Sequence, residues 1–296
     1  MTTSMHASDG SHRQPRLEIF QAIWAMQDLP APNRPWGPQE IVDRIREAGF
    51  AGALPGVADE DSDFETVEQL RRAGLLVGIG FVANEGKSAR SLAERAKALG
   101  VSFLNAQVHD AFTSDAQAVM RLETLYEECD AAGMPLFIET HRGTITQDLL
   151  RTIAYGRQVP RMRHTLDASH YVVAGEVTQP DYAPRFTEAL SEIIRRSSSI
   201  HARVSNGEQV QVDIGDGSGA LVAAYRDWWT AAYRHWLAEA VYGDIFPFVC
   251  ELGPAPYAIT APRGTPLPAG AELSDRWAQA LVFKRIAEEI RAAGIP

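Results

Sequence analysis

Cysteine is scarce in this 296-residue chain, which has only Cys129 and Cys250. Two isolated thiols exclude a disulfide framework and a cysteine-built zinc cluster, and they suit a reducing, cytoplasmic setting. Long apolar runs are missing too. The longest, near Leu75 to Ala83, falls far short of the ~20 residues that a spanning helix needs, so no membrane partner is expected. Lysine and arginine never cluster. The pairs Arg71-Arg72 and Arg195-Arg196 fall late in helical stretches, where they complement the helix dipole. With 28 Lys and Arg against 38 Asp and Glu, the formal charge is -10. That balance argues against a nucleic-acid partner and for an enzyme of small molecules in solution. The opening stretch MTTSMHASDGSHRQP lacks the apolar segment of a signal peptide. Residues 1–15 are therefore expected to form a flexible tail, with His6 and His12 idle.

What the chain does contain, from residue 16 on, is a repeat. Strand-like runs are expected at Leu17–Trp24, Phe50–Leu54, Leu75–Val82, Val101–His109, Leu136–His141, Arg163–Asp167, Ser199–Val204 and Phe246–Leu252. Amphipathic helices alternate with them, near Gln39–Ala48, Phe64–Ala73, Ser88–Leu99, Asp115–Ala132, Thr146–Tyr155, Pro184–Arg195, Ala220–Tyr242 and Asp275–Ala293. Gly49, Gly74, Gly100 and Gly133 each close a helix just before a strand. Eight such units imply an α/β fold, a (β/α)8 TIM barrel filling residues 16–296 as one domain. A doubly wound sheet would carry a glycine fingerprint after its first strand, and "QDLPAPNRPWGP" has none. The aromatic stripe Tyr225, Trp228, Trp229, Tyr233 and Trp236 has helical spacing. It reads as packing against the barrel wall, with a homo-oligomer contact as the next option.

In such a barrel the chemistry sits where strands end. The fifth strand ends in "FIETHRG", giving Glu139, His141 and Arg142; the sixth, in "TLDASH", gives Asp167 and His170. The seventh, in "IHARV", gives His201 and Arg203, and the eighth, in "VCELGP", gives Glu251. Four consecutive strands thus aim a carboxylate or imidazole at one rim. Glu139, Asp167, His201 and Glu251 make an oxygen-rich set with one nitrogen. Such a set suits one divalent ion, Mn, Mg or Co rather than structural Zn, although Zn could also bind. On the fourth strand Asn105, Gln107 and His109 share a face. Asn105 is expected to make structural hydrogen bonds, and His109 to reach substrate at the mouth. Trp24 and Trp36 could wall the pocket or merely pack, and "GPAPY" up to Tyr257 reads as a rigid wall.

On these motifs the chain resembles the xylose-isomerase-like TIM-barrel superfamily of sugar phosphate isomerases and epimerases, over roughly residues 16–293. The resemblance to ketose 3-epimerases implies that Glu139, Asp167, His201 and Glu251 bind one metal ion and that Glu139 and Glu251 are the acid/base pair. It also implies that His170 and Arg203 touch substrate oxygens; His141 and His109 are further substrate-binding candidates. The implied reaction is proton abstraction beside a carbonyl of a ketose or keto-sugar, through a metal-stabilised enediolate. A metal-dependent lyase or dehydratase on a keto-sugar, keto-glycoside or keto-inositol is the close alternative. A phosphodiester hydrolase or an inactive sugar-binding barrel is weaker, given the acidic surface and the intact ligand types. The chain departs from the epimerase pattern at Leu54-Pro55, where an acid is common, and at His141-Arg142, where Asn-Arg is common. Arg203 has a rival reading as a rim salt bridge, since a buried guanidinium needs a partner.

Overall fold

A computed structural model describes residues 6–56, 61–84, 86, 88–177, 184–264, 266–268 and 270–294, with residues 61–63 as backbone alone. The apolar runs become strands β1 (Ala7–Ser8), β2 (Arg16–Ala22), β3 (Gly52–Leu54), β4 (Leu76–Ala83), β5 (Phe103–Val108), β6 (Leu136–Glu139), β7 (His164–Leu166), β8 (Ser197–Ala202) and β9 (Asp244–Cys250). The amphipathic segments become helices α1 (Pro38–Glu47), α2 (Asp61–Arg72), α3 (Arg90–Ala98), α4 (Asp115–Ala132), α5 (Leu149–Gln158), α6 (Ala168–Ala174), α7 (Pro184–Ile194), α8 (Ala220–Leu237) and α9 (Arg276–Ala293). Strands β2 to β9 pair in parallel, each with the next, and β9 also pairs with β2. The sheet therefore closes, and the fold is the (β/α)8 barrel that the repeat implies. Gly49, Gly74, Gly100 and Gly133 all have positive φ, 66–80°, the left-handed geometry that ends a helix before a strand.

The barrel's interior is filled by alternation and by missing side chains. Phe20, Phe103 and Phe137 point inward and pack together, Phe103 stacking on Phe137 at 5.3 Å between ring centroids. They occupy space left by glycines on neighbouring strands. A Cβ on Gly78 would come within 2.2 Å of the Phe103 ring, and one on Gly52 within 2.4 Å of Phe20. The opposite strand faces meet the helices in a larger apolar layer. In α8, Tyr225, Trp228, Trp229, Tyr233 and Trp236 are all buried in that layer, so the stripe packs on the barrel wall.

Two expectations change. The first five residues of the expected tail lie outside the described residues; of the rest, His6 and Ala7 are buried and paired, while His12, Arg13 and Gln14 are exposed. Ala7 pairs antiparallel with Ile245, and His6 is buried with its ring stacked on Trp236 at 5.5 Å. Arg16 holds the segment down by donating to Asp9 and Glu18, each at 2.5 Å. Burial pushes the Asp9 carboxyl up, but bonds from Arg16 and Ser11 outweigh it and bring its pKa to about 2. The second change is that strands stop earlier than their apolar pattern. β6 ends at Glu139, after which the amide of His141 donates to Thr146 Oγ1. β5 ends at Val108, and His109 turns into a left-handed conformation (φ 49°).

Candidate active site

The polar side chains of the C-terminal rim stand one layer above the phenylalanines. Alternation puts Glu139 two residues past Phe137 and Asn105 and Gln107 past Phe103, all inward. Asn105 Nδ2 donates to Glu139 Oε2 at 2.6 Å, and Gln107 Nε2 donates to Oε1 at 3.1 Å. His201, on β8, faces Glu139 and Glu251 together. Its Nδ1 is 2.9 Å from Glu251 Oε2 and 3.7 Å from Glu139 Oε1, and among the described residues its Nε2 has no hydrogen-bond partner. Burial opposes charge on this imidazole, but the two carboxylates outweigh burial and raise its pKa to about 10. Burial likewise pushes Glu139 up, while His201 and the Asn105 bond pull it down to about 2.

Arg203 sits under this centre and is fully engaged by the protein. Its Nε donates to the Glu251 carbonyl at 3.1 Å and Nη2 to Glu251 Oε2 at 2.8 Å. Its Nη1 reaches Asp167 Oδ2 at 2.9 Å and His170 Nε2 at 3.2 Å. The guanidinium is 1% exposed and lines the cavity beneath the ring of Tyr257, 4.7 Å from its centroid. The salt bridge offered as its rival reading is present, and Arg203 lines the cavity as well. Since Nη1 can only donate, His170 Nε2 accepts and its proton is on Nδ1. Burial, then His141 and Arg203, hold the His170 pKa well below its ordinary value, so the ring is neutral.

Asp167 stands beside the other three expected ligands, tied to His170's neighbour Ser169 and to Arg203. It caps α6: Oδ1 accepts from the amide and hydroxyl of Ser169 at 3.0 and 2.5 Å, while Oδ2 takes Arg203. Both oxygens accept hydrogen bonds, as both oxygens of Glu139 do, and Asp167 lies outside the tightest trio of donors, Glu139, His201 and Glu251. His170 does not line the cavity either, because the first turn of α6 tucks it against His141, 4.0 Å away between centroids. His109 is also outside the cavity lining, because its left-handed turn breaks the alternation that would have aimed it inward. His141 does line it. Its Nδ1 is 2.5 Å from the Arg142 carbonyl, so Nε2 is left to accept from Tyr257 Oη at 3.1 Å. Tyr257 is more than the wall expected of it. It lies 116 positions from His141, and no local pattern links the two. Trp24 lines the mouth, whereas Trp36 packs on Trp277.

The remaining three groups fit a divalent cation. Ligand atoms of Glu139, His201 and Glu251 all lie within 4.8 Å of one another. Two ligands at right angles around a small ion, at about 2.1 Å each, stand ~3 Å apart. The His201–Glu251 spacing of 2.9 Å and the His201–Glu139 spacing of 3.7 Å are close to that. Two carboxylates and one imidazole favour Mg or Mn over a sulfur-seeking metal. The cavity above them encloses about 610 Å³.

No family model and no curated protein matches the chain. Solved structures do. A xylose isomerase-like TIM barrel protein from Mycobacterium smegmatis, in complex with magnesium, superposes with a TM-score of 0.60 at 15% identity, covering 94% of this chain and 98% of that one. L-ribulose 3-epimerase superposes with a TM-score of 0.57, also at 15% identity, covering 94% and 95%. These likenesses show the fold, a (β/α)8 TIM barrel. At this identity the likeness speaks for architecture, and the chemistry rests on the rim residues. Among the described residues no helix is long and apolar enough to cross a membrane.

Proposed function

We propose that the rim is the active site of a divalent-metal-dependent isomerase or epimerase, which removes a proton beside the carbonyl of a small carbohydrate. The observation that carries this reading is the pair of carboxylates, Glu139 and Glu251, held on either side of one imidazole at the floor of an open cavity. Glu139, His201 and Glu251 would hold the ion, with Mg, Mn or Co favoured and Zn admissible. When bound, it supplies Lewis acidity that stabilises negative charge growing on the substrate's oxygens.

The protein's own groups divide the remaining work. Glu139 has both oxygens engaged by Asn105 and Gln107, which stabilises its charged form and weakens it as a base. Glu251 is 9% exposed against 2% for Glu139, and it is the better placed to take the proton. Arg203 fixes the carboxylate and the backbone of Glu251 at once, so it acts as a positioning residue. His141 and Tyr257 offer polar contacts on the cavity wall. The Tyr257 hydroxyl also favours a second reading, elimination of a β-substituent, because a phenol beside the cavity can protonate a leaving group.

Titration with Mn2+ tests the ligand set. One ion per chain is expected, with His201→Asn and Glu139→Gln weakening it at least tenfold and Asp167→Asn leaving it within a few-fold. Equal losses in all three variants would restore Asp167 as a ligand and overturn the three-group site.

A further inference from the structure

The cavity is chemically two-sided. Everything that can hydrogen-bond at its floor comes from β5, β6, β8 and β9 and the loops that follow them. The side formed by the ends of β2, β3 and β4 is mostly apolar: it presents Ala22, Trp24, Leu54, Pro55, Val82 and Leu92, with Asn84, Ser88 and Arg121 as the polar residues at its outer edge. Substrate hydroxyls lying against Leu54, Pro55 and Val82 would find no side-chain partner there, at a desolvation cost on each.

That side is also deliberately roomy. Gly80 stands between Gly78 and Val82 on the inward face of β4, and a Cβ built on it would meet nothing closer than the Pro55 carbonyl at 3.8 Å. A Cβ on Gly56, bridged to Gly80, would meet nothing within 4 Å. Lower in the barrel the glycines of β3 and β4 are filled by Phe20 and Phe103. At the cavity they are not filled. Val82, at the end of this wall, remains 53% exposed. At about 610 Å³ the cavity matches sites that take drug-sized ligands and exceeds what a lone sugar ring requires.

We propose that the cavity takes a two-part substrate, a polyhydroxylated head joined to an apolar ring, with the ring lying over Gly80 against Leu54, Pro55 and Val82. The position of the head over Glu139, His201 and Glu251 rests on the function proposed above; the position of the ring does not. Trp24 closes the apolar side edge-on to Tyr257, 5.3 Å between centroids, so the two halves meet at an aromatic corner.

The matched probes are phenyl and methyl β-D-glucopyranoside, titrated calorimetrically into the full chain with Mg2+ present. The phenyl compound is expected to bind at least about tenfold more tightly, the order of affinity that burying a ring's apolar surface gives. Gly80→Val, which has a backbone and space that admit valine, is expected to reduce that ratio about tenfold. Equal affinities in the wild-type protein, or no binding of the phenyl glycoside at millimolar concentration, overturn the two-part pocket. A phenyl preference that survives in Glu251→Gln supports it. If wild-type protein shows that preference but no solvent exchange on any ketose or keto-glycoside, the proton-abstraction reading fails while the two-part pocket stands.

Discussion

Replacing Arg203 with methionine separates its two assigned roles. The guanidinium is 1% exposed and satisfies Asp167 Oδ2, His170 Nε2 and both the carbonyl and Oε2 of Glu251. Methionine keeps much of the volume but leaves the carboxylate of Asp167, itself fully buried, without its cation. Burial already raises the Asp167 pKa, and Arg203 is the main opposing influence. Breaking one partner from a buried pair costs about 3–5 kcal/mol. At about 2–4 °C of melting temperature per kcal/mol, Arg203→Met should melt roughly 6–20 °C below wild type. The double variant Arg203→Met with Asp167→Asn removes the stranded charge and should recover at least about half of the loss. Calorimetric melting of the four proteins, wild type included, measures both terms. A single variant that melts within ~2 °C of wild type and loses only kcat/KM would refute the buried bridge and return Arg203 to direct substrate binding.

Four further outcomes follow from particular residues. The His201 pKa is raised from 6.5 to about 10, so the stability its pairing gives to metal-free protein is complete below pH 6.5 and is lost as pH rises through about 10. Urea melts of chelator-treated protein should show that decline, and His201→Asn should flatten it. For the same reason Mg2+ binding near pH 8 should release about one proton, seen as a buffer-dependent calorimetric heat; no dependence on buffer would count against an imidazolium there. Gly78→Ala should cost about 1–3 kcal/mol by urea denaturation, because its methyl meets the Phe103 ring. Deleting residues 1–9 should destabilise by about 1–3 kcal/mol, since it uncovers Trp236 and removes the Asp9–Arg16 pair. An unchanged melt would return the segment to the flexible tail expected from its composition.

The barrel was legible because its signals are local and repeated. A glycine closing a helix just before an apolar run reads the same way four times, and each case has the left-handed backbone. The site was legible only as far as strand alternation reaches. Glu139, His201 and Glu251 sit on or beside strands and meet where period two places them. Asp167 and His170 lie where β7 gives way to α6, and the short helix turns one into a cap and tucks the other away from the cavity. His109 escapes alternation for the same reason, one residue past its strand. The packed N-terminal segment was hidden because its anchors, Ile245, Trp236 and Arg16, are either distant in sequence or ordinary in type. The apolar half of the cavity is made partly of absent side chains at Gly56 and Gly80, and only the folded chain shows which glycines leave room.

The central claim is that Glu139, His201 and Glu251 form a metal-assisted proton-transfer site. It is tested most directly by proton NMR in D2O, with a panel of ketoses and keto-glycosides and with chelator-treated and Mg2+-loaded protein compared side by side. The account predicts deuterium entering a single carbon beside the carbonyl with loaded wild-type protein, and none with chelated protein or with Glu251→Gln. Exchange that persists in Glu251→Gln or without the ion, or no exchange on any member of the panel, would contradict it.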